Sequence, residues 1–528
     1  MPQNTLPSPH ATEVDDSYDL AQHGYRQRLN RSLGSFSSFA AGFSYISILT
    51  GITQLFGFGY GFGGPQLFWT WLVVLAGQFC VALVFAELGA RYPIAGSVYQ
   101  WSKSISSRAI AWFAGWLMLI GSLVTVAAVA IAEQIALPAI WSGFAVFSDP
   151  TKNAVLLGSC TIVVTTIINV LGVRVMSRIN NVGVIAELIG AALLIVLLLV
   201  HATRGPGVVL DSEGTGPGLP GWDSLGRIAP LLLAAIMPAY VMFGFDTACS
   251  LAEETNNPRK RTPRAILQAL AAAGTAGALL LLFALMATKT LDPAKISLTG
   301  FPGIIESTLG TTLGKILLAD VAFAIFVCTL AIQTATIRIA FSMARDKRLP
   351  GSNRLAHVLE HRHSPLLPAI LSGVLAIALL LVNIGNSKIF LVITSVAIAL
   401  VYLAYLLVTA PLLVKRLRGW PADRGRNGWF FLGRGPGIFI NIVAVGYGTL
   451  GLINLVWPRE IVYGTGTYAW GGIIFIGGVV VIGGVYYALA QHGREHGITD
   501  EHRAAEPPAP PGAAPTMTHA KPVADGAV

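Results

Sequence analysis

Phe43-Ser44-Tyr45-Ile46-Ser47-Ile48-Leu49-Thr50-Gly51-Ile52 stands in the middle of the first long apolar run of this 528-residue chain. Serine, threonine and glycine weaken a helix there, at a depth where a bilayer has no water to replace lost backbone hydrogen bonds. The run therefore reads as a membrane helix broken at its centre. Gly57, Gly59, Gly61, Gly63 and Gly64 then lead to Pro65 and a second apolar run. A matching interruption, Met237-Pro238 followed by Phe243-Gly244-Phe245-Asp246, falls in the sixth run. The breaks are five runs apart, and paired interruptions in corresponding halves point to a midplane binding site between inverted repeats. Glycine and proline also serve plain packing and kinks in membrane helices. The shared offset, and the polar residues beside both breaks, favour a site.

Composition agrees with a chain dissolved mainly in lipid, because 54% of residues are hydrophobic and only 12% are charged. Charges gather between apolar runs of about twenty residues, the length of one helical crossing. Twelve such runs are read near 34–60, 65–89, 109–140, 154–173, 179–200, 228–252, 265–288, 316–340, 366–385, 388–414, 437–457 and 468–490. The fold class is an all-α integral membrane protein. An even count puts both termini on one side, and 27 of the 35 Lys and Arg fall there. By the positive-inside rule that side is cytoplasmic, giving a multi-pass protein of the cell's inner (plasma) membrane. Residues 1–33 form a cytoplasmic N-terminal segment without a cleavable signal peptide. Residues 34–490 form the membrane domain, and the Pro- and Ala-rich stretch 491–528 reads as a disordered cytoplasmic tail.

The net charge of +9 does not argue for nucleic acid, since the basic residues follow membrane topology rather than a basic, aromatic surface. Cys80, Cys160, Cys249 and Cys328 lie in apolar runs without paired spacing, and the histidines sit in termini and loops, so no metal or cofactor is expected. A membrane-embedded enzyme would need a nucleophile, a metal cluster or a paired acid and base at depth, and none is legible.

Several stretches carry a more specific likeness. Gly63-Gly64-Pro65 opens the second run. Ala86-Glu87-Leu88-Gly89-Ala90-Arg91-Tyr92-Pro93-Ile94-Ala95-Gly96-Ser97-Val98-Tyr99 follows it, and Gly244-Phe245-Asp246 with Ala252-Glu253-Glu254-Thr255-Asn256-Asn257-Pro258 ends the sixth. With these motifs the chain resembles the amino acid, polyamine and organocation permeases, especially the amino acid and choline transporter branch that includes 4-aminobutyrate permeases. The resemblance implies a five-plus-five inverted repeat (LeuT-like), about 34–200 and 228–414, with discontinuous helices one and six and two extra helices in 437–490. It also implies alternating access. Major facilitator transporters, the rival class of twelve spans, have a different basic loop after span two.

Candidate site residues follow from both readings. The backbone around Ser47, Thr50 and Gly51 would present N–H groups at a half-helix N-terminus, suited to a substrate carboxylate; Gly51 at a packing crossover predicts the same residue. Asp246 either caps the half-helix from Thr247 or contacts substrate. In relatives an aromatic beside this break gates the substrate, which marks Phe243 and Phe245 around Gly244. Glu187, near mid-membrane in the fifth run, is the candidate for ion coupling or for facing a substrate ammonium. The alternative is a protonated carboxyl satisfied by a neighbouring helix. Sodium-independent relatives often carry Lys at this place, and Glu here departs from their pattern. Thr334, with Ala331 and Thr336, is of the kind that lines the family's sodium position against helix one. Glu253 and Glu254 are expected either to meet Arg91 in an inner gate or to pair with Arg259, Lys260 or Arg261. Glu133 and Asp320 are placed near the extracellular ends of their runs in ordinary roles.

The expected activity is secondary active transport of an amino acid or amino-acid-like amine, by proton symport or exchange, with sodium the less favoured ion. A choline, 4-aminobutyrate or polyamine transporter of the same fold is the nearest alternative, and a nutrient sensor built on the fold a distant one.

Overall fold

The computed structural model describes residues 20–212, 226, 228–358, 364–384, 387–421, 429–463, 465–492, 498, 499, 502 and 503. Among them, nine helical stretches are long and apolar enough to cross a membrane. Most of the expected tail lies outside the described residues. One stretch, Ser35–Arg91, is 57 residues long; at the helical rise that is about 85 Å, well beyond a single crossing. Two further apolar helices, Ile228–Val241 and Leu366–Leu381, are shorter.

In chain order the helices are α1 (Ser35–Ile46), α2 (Ile48–Gly63), α3 (Leu67–Arg91), α4 (Ser97–Ile105), α5 (Arg108–Ala130), α6 (Pro150–Leu171) and α7 (Val173–Val200). The short pieces α8 (Ile228–Ala234), α9 (Ile236–Val241) and α10 (Thr247–Ser250) come next. Then follow α11 (Pro258–Ala287), α12 (Pro293–Leu309), α13 (Thr311–Arg345), α14 (Leu366–Leu381), α15 (Ser387–Leu417), α16 (Arg434–Val456) and α17 (Gly471–Tyr486).

Local chemistry sets the ends. Ser47 at φ 34°, ψ 97° separates α1 from α2, a conformation costly for a residue with a side chain. Asp149 caps α6 by accepting from Thr151 N at 2.9 Å, and its hydrogen bonds to Thr151 hold that exposed carboxyl below its ordinary value. α12 was not among the twelve apolar runs; Gly300 at φ 63° and Pro302 interrupt its pattern. α7 begins at Val173 rather than 179, because Arg174 and Arg178 project from its first turns without ending it.

α13 is the central post, packed on α1, α2, α5, α6 and α7, while α11 lies along α1 and α3 and α15 runs along α5 and α16. Outward faces are apolar: Val182, Ile185 and Ile189 of α7, and Val481, Ile482 and Val485 of α17, are all exposed. Such surfaces suit hydrocarbon and would be untenable in water. The protein is a multi-pass membrane protein.

One buried pair ties three helices together. The Arg416 guanidinium donates to Glu87 Oε2 and also reaches Asn441 Oδ1 at 3.2 Å, joining α3, α15 and α16. The sequence reading left Arg416 in a loop, but α15 runs on to Leu417 and buries it. Glu87→Leu strands that charge and is expected to destabilise the protein by about 3–5 kcal/mol, read as a lower melting temperature in detergent. Adding Arg416→Met should restore most of the loss.

Candidate functional site

The two breaks meet. Tyr45 at the end of α1 packs edge-on against Phe243 beyond α9, with ring centroids 5.7 Å apart. Gly244 has φ +89°, and a Cβ there would fall 1.8 Å from Tyr45 Cδ1, so neither its backbone nor its surroundings admit a side chain. Across the same junction, a Cβ on Gly51 would fall 2.5 Å from Val241 Cγ2. Tyr45, Thr50, Gly51 and Phe243 thereby line one pocket with Thr125 of α5, Tyr240 of α9 and Cys328 of α13. About 10 Å³ of free space remains in it, roughly the room of one water. Gly51 serves the packing crossover and the pocket wall together.

Glu187 lies at the edge of this junction and is 1% exposed. Its Oε1 accepts from Ser47 Oγ at 2.9 Å and from Leu49 N at 3.2 Å, and Ser47 Oγ is 2.6 Å from Thr50 Oγ1. The carboxylate therefore sits on the first turn of α2, where the helix dipole favours negative charge. This changes one expectation: Leu49 N, at the N-terminus expected to receive a substrate carboxylate, is already held by a carboxylate of the protein.

Asp246 is not the cap of the half-helix α10, and it is fully buried. It accepts instead from Ser97 Oγ at 2.7 Å and from Tyr405 OH at 2.5 Å, while Gly244 N donates to the same Tyr405 oxygen at 3.0 Å. The backbone bends back at Gly244, which aims Asp246 at α4 and α15 and away from the pocket. Phe245 follows it, packing between Phe85 and Tyr405 at 6.0 and 5.7 Å. Of the two aromatics at the break, Phe243 alone lines the pocket.

Thr334 is not brought to the break either. Its hydroxyl lies 2.8 Å from both Asn169 Oδ1 and Leu330 O, binding α13 to α6. Asp320 stands nine residues into α13, about 14 Å along the helix, where its carboxylate packs against Gly190 of α7, one turn beyond Glu187.

The acidic pair after α10 finds other partners than those expected. Glu253 receives Arg345 Nη1 at 2.8 Å and Ala95 N at 3.1 Å, and Glu254 receives Arg338 Nε at 2.9 Å. Arg338 and Arg345 stand on α13, which continues past the predicted end at 340 and carries both cations under the carboxylates. The guanidinium of Arg91 lies 5.0 Å over the Trp420 ring. Beside these pairs, Asp346 accepts from Lys103 at 2.6 Å and Tyr25 at 2.8 Å. Burial pushes its carboxyl up, but Lys103 and Arg345 outweigh that and hold it below its usual range. Residues from both chain ends close over this basic end of the bundle: Gln27 and Leu33 bond the Glu253 and Glu254 carbonyls, and Thr499 and His502 bond Arg345 O and Arg26 N. His502, in the stretch expected to be a disordered tail, is fully buried.

Sequence reading missed Tyr45, Thr125, Tyr240, Cys328 and Tyr405. Tyr45 stood in the broken stretch itself, and Tyr240 lies one turn before Phe243. Thr125 sits in an unbroken helix, Tyr405 in another, and neither has a local signal.

A bundle of lipid-facing helices, two of them interrupted where they meet around a small central pocket, defines a membrane permease. A family model described as amino acid permease matches residues 33–483, and the chain belongs to that family. It is 29% identical to amino-acid permease BAT1 of Arabidopsis thaliana over 73% of this chain and 78% of that one. It is 27% identical to the BAT1 homolog of Oryza sativa subsp. japonica over 74% and 78%. With the GABA-specific permease of Saccharomyces cerevisiae it shares 24% identity over 93% of this chain and 88% of the other. These relatives are transporters, not enzymes.

Gly51→Val should abolish substrate uptake at normal membrane expression, because the new methyls meet Val241. Gly51→Ala should be partly rescued by Val241→Ala, measured as uptake into proteoliposomes.

Proposed function

We propose that this permease is a secondary active transporter of an amino acid or amino-acid-like amine, working by alternating access and coupled to proton binding at Glu187. In this reading Ser35–Arg91 supplies two of twelve spans, the shorter helices Ile228–Val241 and Leu366–Leu381 supply two more, and α1–α2 and α8–α10 are the discontinuous members of a five-plus-five repeat. The basic end of the bundle faces the cytoplasm, with both termini.

The observation that carries the proposal is the Glu187 carboxylate resting on Ser47 Oγ and Leu49 N. Ionised, it holds the first turn of α2. A proton on it weakens both hydrogen bonds and frees Leu49 N for a carboxylate of the substrate, while the carbonyls ending α1 and α9 suit an ammonium. Proton and substrate thus bind in support of each other. Release at the other face reverses the order, and Glu187 recaptures Leu49 N. Because the pocket is nearly closed, entry needs α1–α2 and α8–α10 to shift against α5 and α13. A 4-aminobutyrate, choline or polyamine substrate is the second reading; the occupied α2 terminus favours a ligand that lacks a carboxylate beside its amine.

Uptake of labelled amino acids, 4-aminobutyrate, choline and putrescine into proteoliposomes tests this. One compound should enter saturably, faster as external pH falls, and without need of sodium. Glu187→Gln should lose the stimulation by a proton gradient while retaining exchange of preloaded substrate. A folded Glu187→Gln protein that keeps its gradient response removes the proton role and leaves the permease reading standing.

A further inference from the structure

Away from the central pocket, α5, the turn after α13 and α14 enclose a groove of about 220 Å³. Trp116, Leu119 and Leu123, Ala340, Leu355 and Leu375 give it an almost wholly apolar wall. The groove borders hydrocarbon, since Ile370, Leu371, Val374 and Leu375 of α14 are 40–58% exposed. Leu349 and Pro350 form one of its walls and also line a second, wider cleft of about 660 Å³, which contains Lys347, Ser352, Asn353, Arg354 and Tyr486. An apolar slot and a basic cup thus lie side by side, with Leu349 and Pro350 common to both.

The cations in that cup are uncommitted. Neither Lys347 nor Arg354 has an ion-pair partner among the described residues, in contrast to Arg338, Arg345 and Arg416 close by, which are each paired with a carboxylate. A row of aromatic rings links the two: Trp116 of the groove stacks on Trp112 at 5.6 Å, and Tyr486 of the cup meets Trp112 at 5.9 Å.

We propose that the groove and cup together bind one anionic phospholipid, an acyl chain filling the groove and the phosphate held by Lys347 and Arg354. Charge selects the headgroup. A zwitterionic lipid brings its own ammonium toward the two cations, while an anionic lipid does not. Free phosphate satisfies the cup alone and gains nothing from the groove.

Native mass spectrometry of the detergent-purified protein, titrated with phosphatidylglycerol, phosphatidylcholine or inorganic phosphate, provides the test. One phosphatidylglycerol should be retained in preference to phosphatidylcholine. Lys347→Gln with Arg354→Gln should weaken its binding about 25-fold, since each basic residue near the surface contributes about five-fold. Arg354→Lys should keep the preference, and Leu375→Trp, which fills the groove, should weaken both lipids. Equal retention of the two lipids, an undiminished preference in the double variant, or binding of inorganic phosphate as tight as that of phosphatidylglycerol would each overturn the proposal.

Discussion

A helix that stops at Ile46 and restarts at Ile48 leaves the first N–H groups of α2 without carbonyls to meet. In the middle of a bilayer no water replaces those partners, so the break persists only because something polar comes to it. Here that partner is Glu187, which arrives from α7 and accepts from Leu49 N and Ser47 Oγ. The unusual φ of Ser47, the close crossing at Gly51 and the turn of Tyr45 toward Phe243 all lie within about one helical turn of this contact. Remove the carboxylate and the discontinuity loses its internal acceptor.

The second break is stabilised differently. Its acidic residue, Asp246, is directed away from the pocket to Ser97 and Tyr405, and the Gly244 N–H is met by the Tyr405 hydroxyl. A tyrosine on α15 therefore meets the backbone of the Gly244 bend as a glutamate on α7 meets the start of α2. One break rests on a carboxyl beside the pocket; the other is held by a network behind it.

Hydropathy made the helical membrane fold legible, and composition at Phe43–Ile52 and Phe243–Asp246 located the breaks, because both signals are local in sequence. The prominence of Glu187 was legible for the same reason, as a carboxylate alone in an apolar run. Direction was not. Whether Asp246 turns to its own helix or to Tyr405, 159 residues away, depends on the backbone bend at Gly244 and on which helix packs behind it. Thr334 likewise spends its hydroxyl on Asn169 because α13 is rotated toward α6 at that level. Arg345 fell beyond the predicted end of its run at 340 because charged residues usually end membrane helices, whereas α13 continues to it, with Arg338 and Arg345 both turned inward to meet Glu254 and Glu253.

Those pairs bear on how the basic end can open. Glu253–Arg345 and Glu254–Arg338 are buried on both sides, with every member 2% exposed or less. A buried pair in low dielectric resists separation strongly, since parting its members strands two desolvated charges. Parting them is tolerable only if water enters as they part, and then their mutual attraction falls steeply. The segments that cover this end, Gln27 to Leu33 and the short contact at Thr499 to His502, keep water out by bonding the same carbonyls and the same helix end. For the alternating access proposed above, opening at this face would be a hydration event before a helix movement: the cover would lift first, and the four charges would then separate without being stranded.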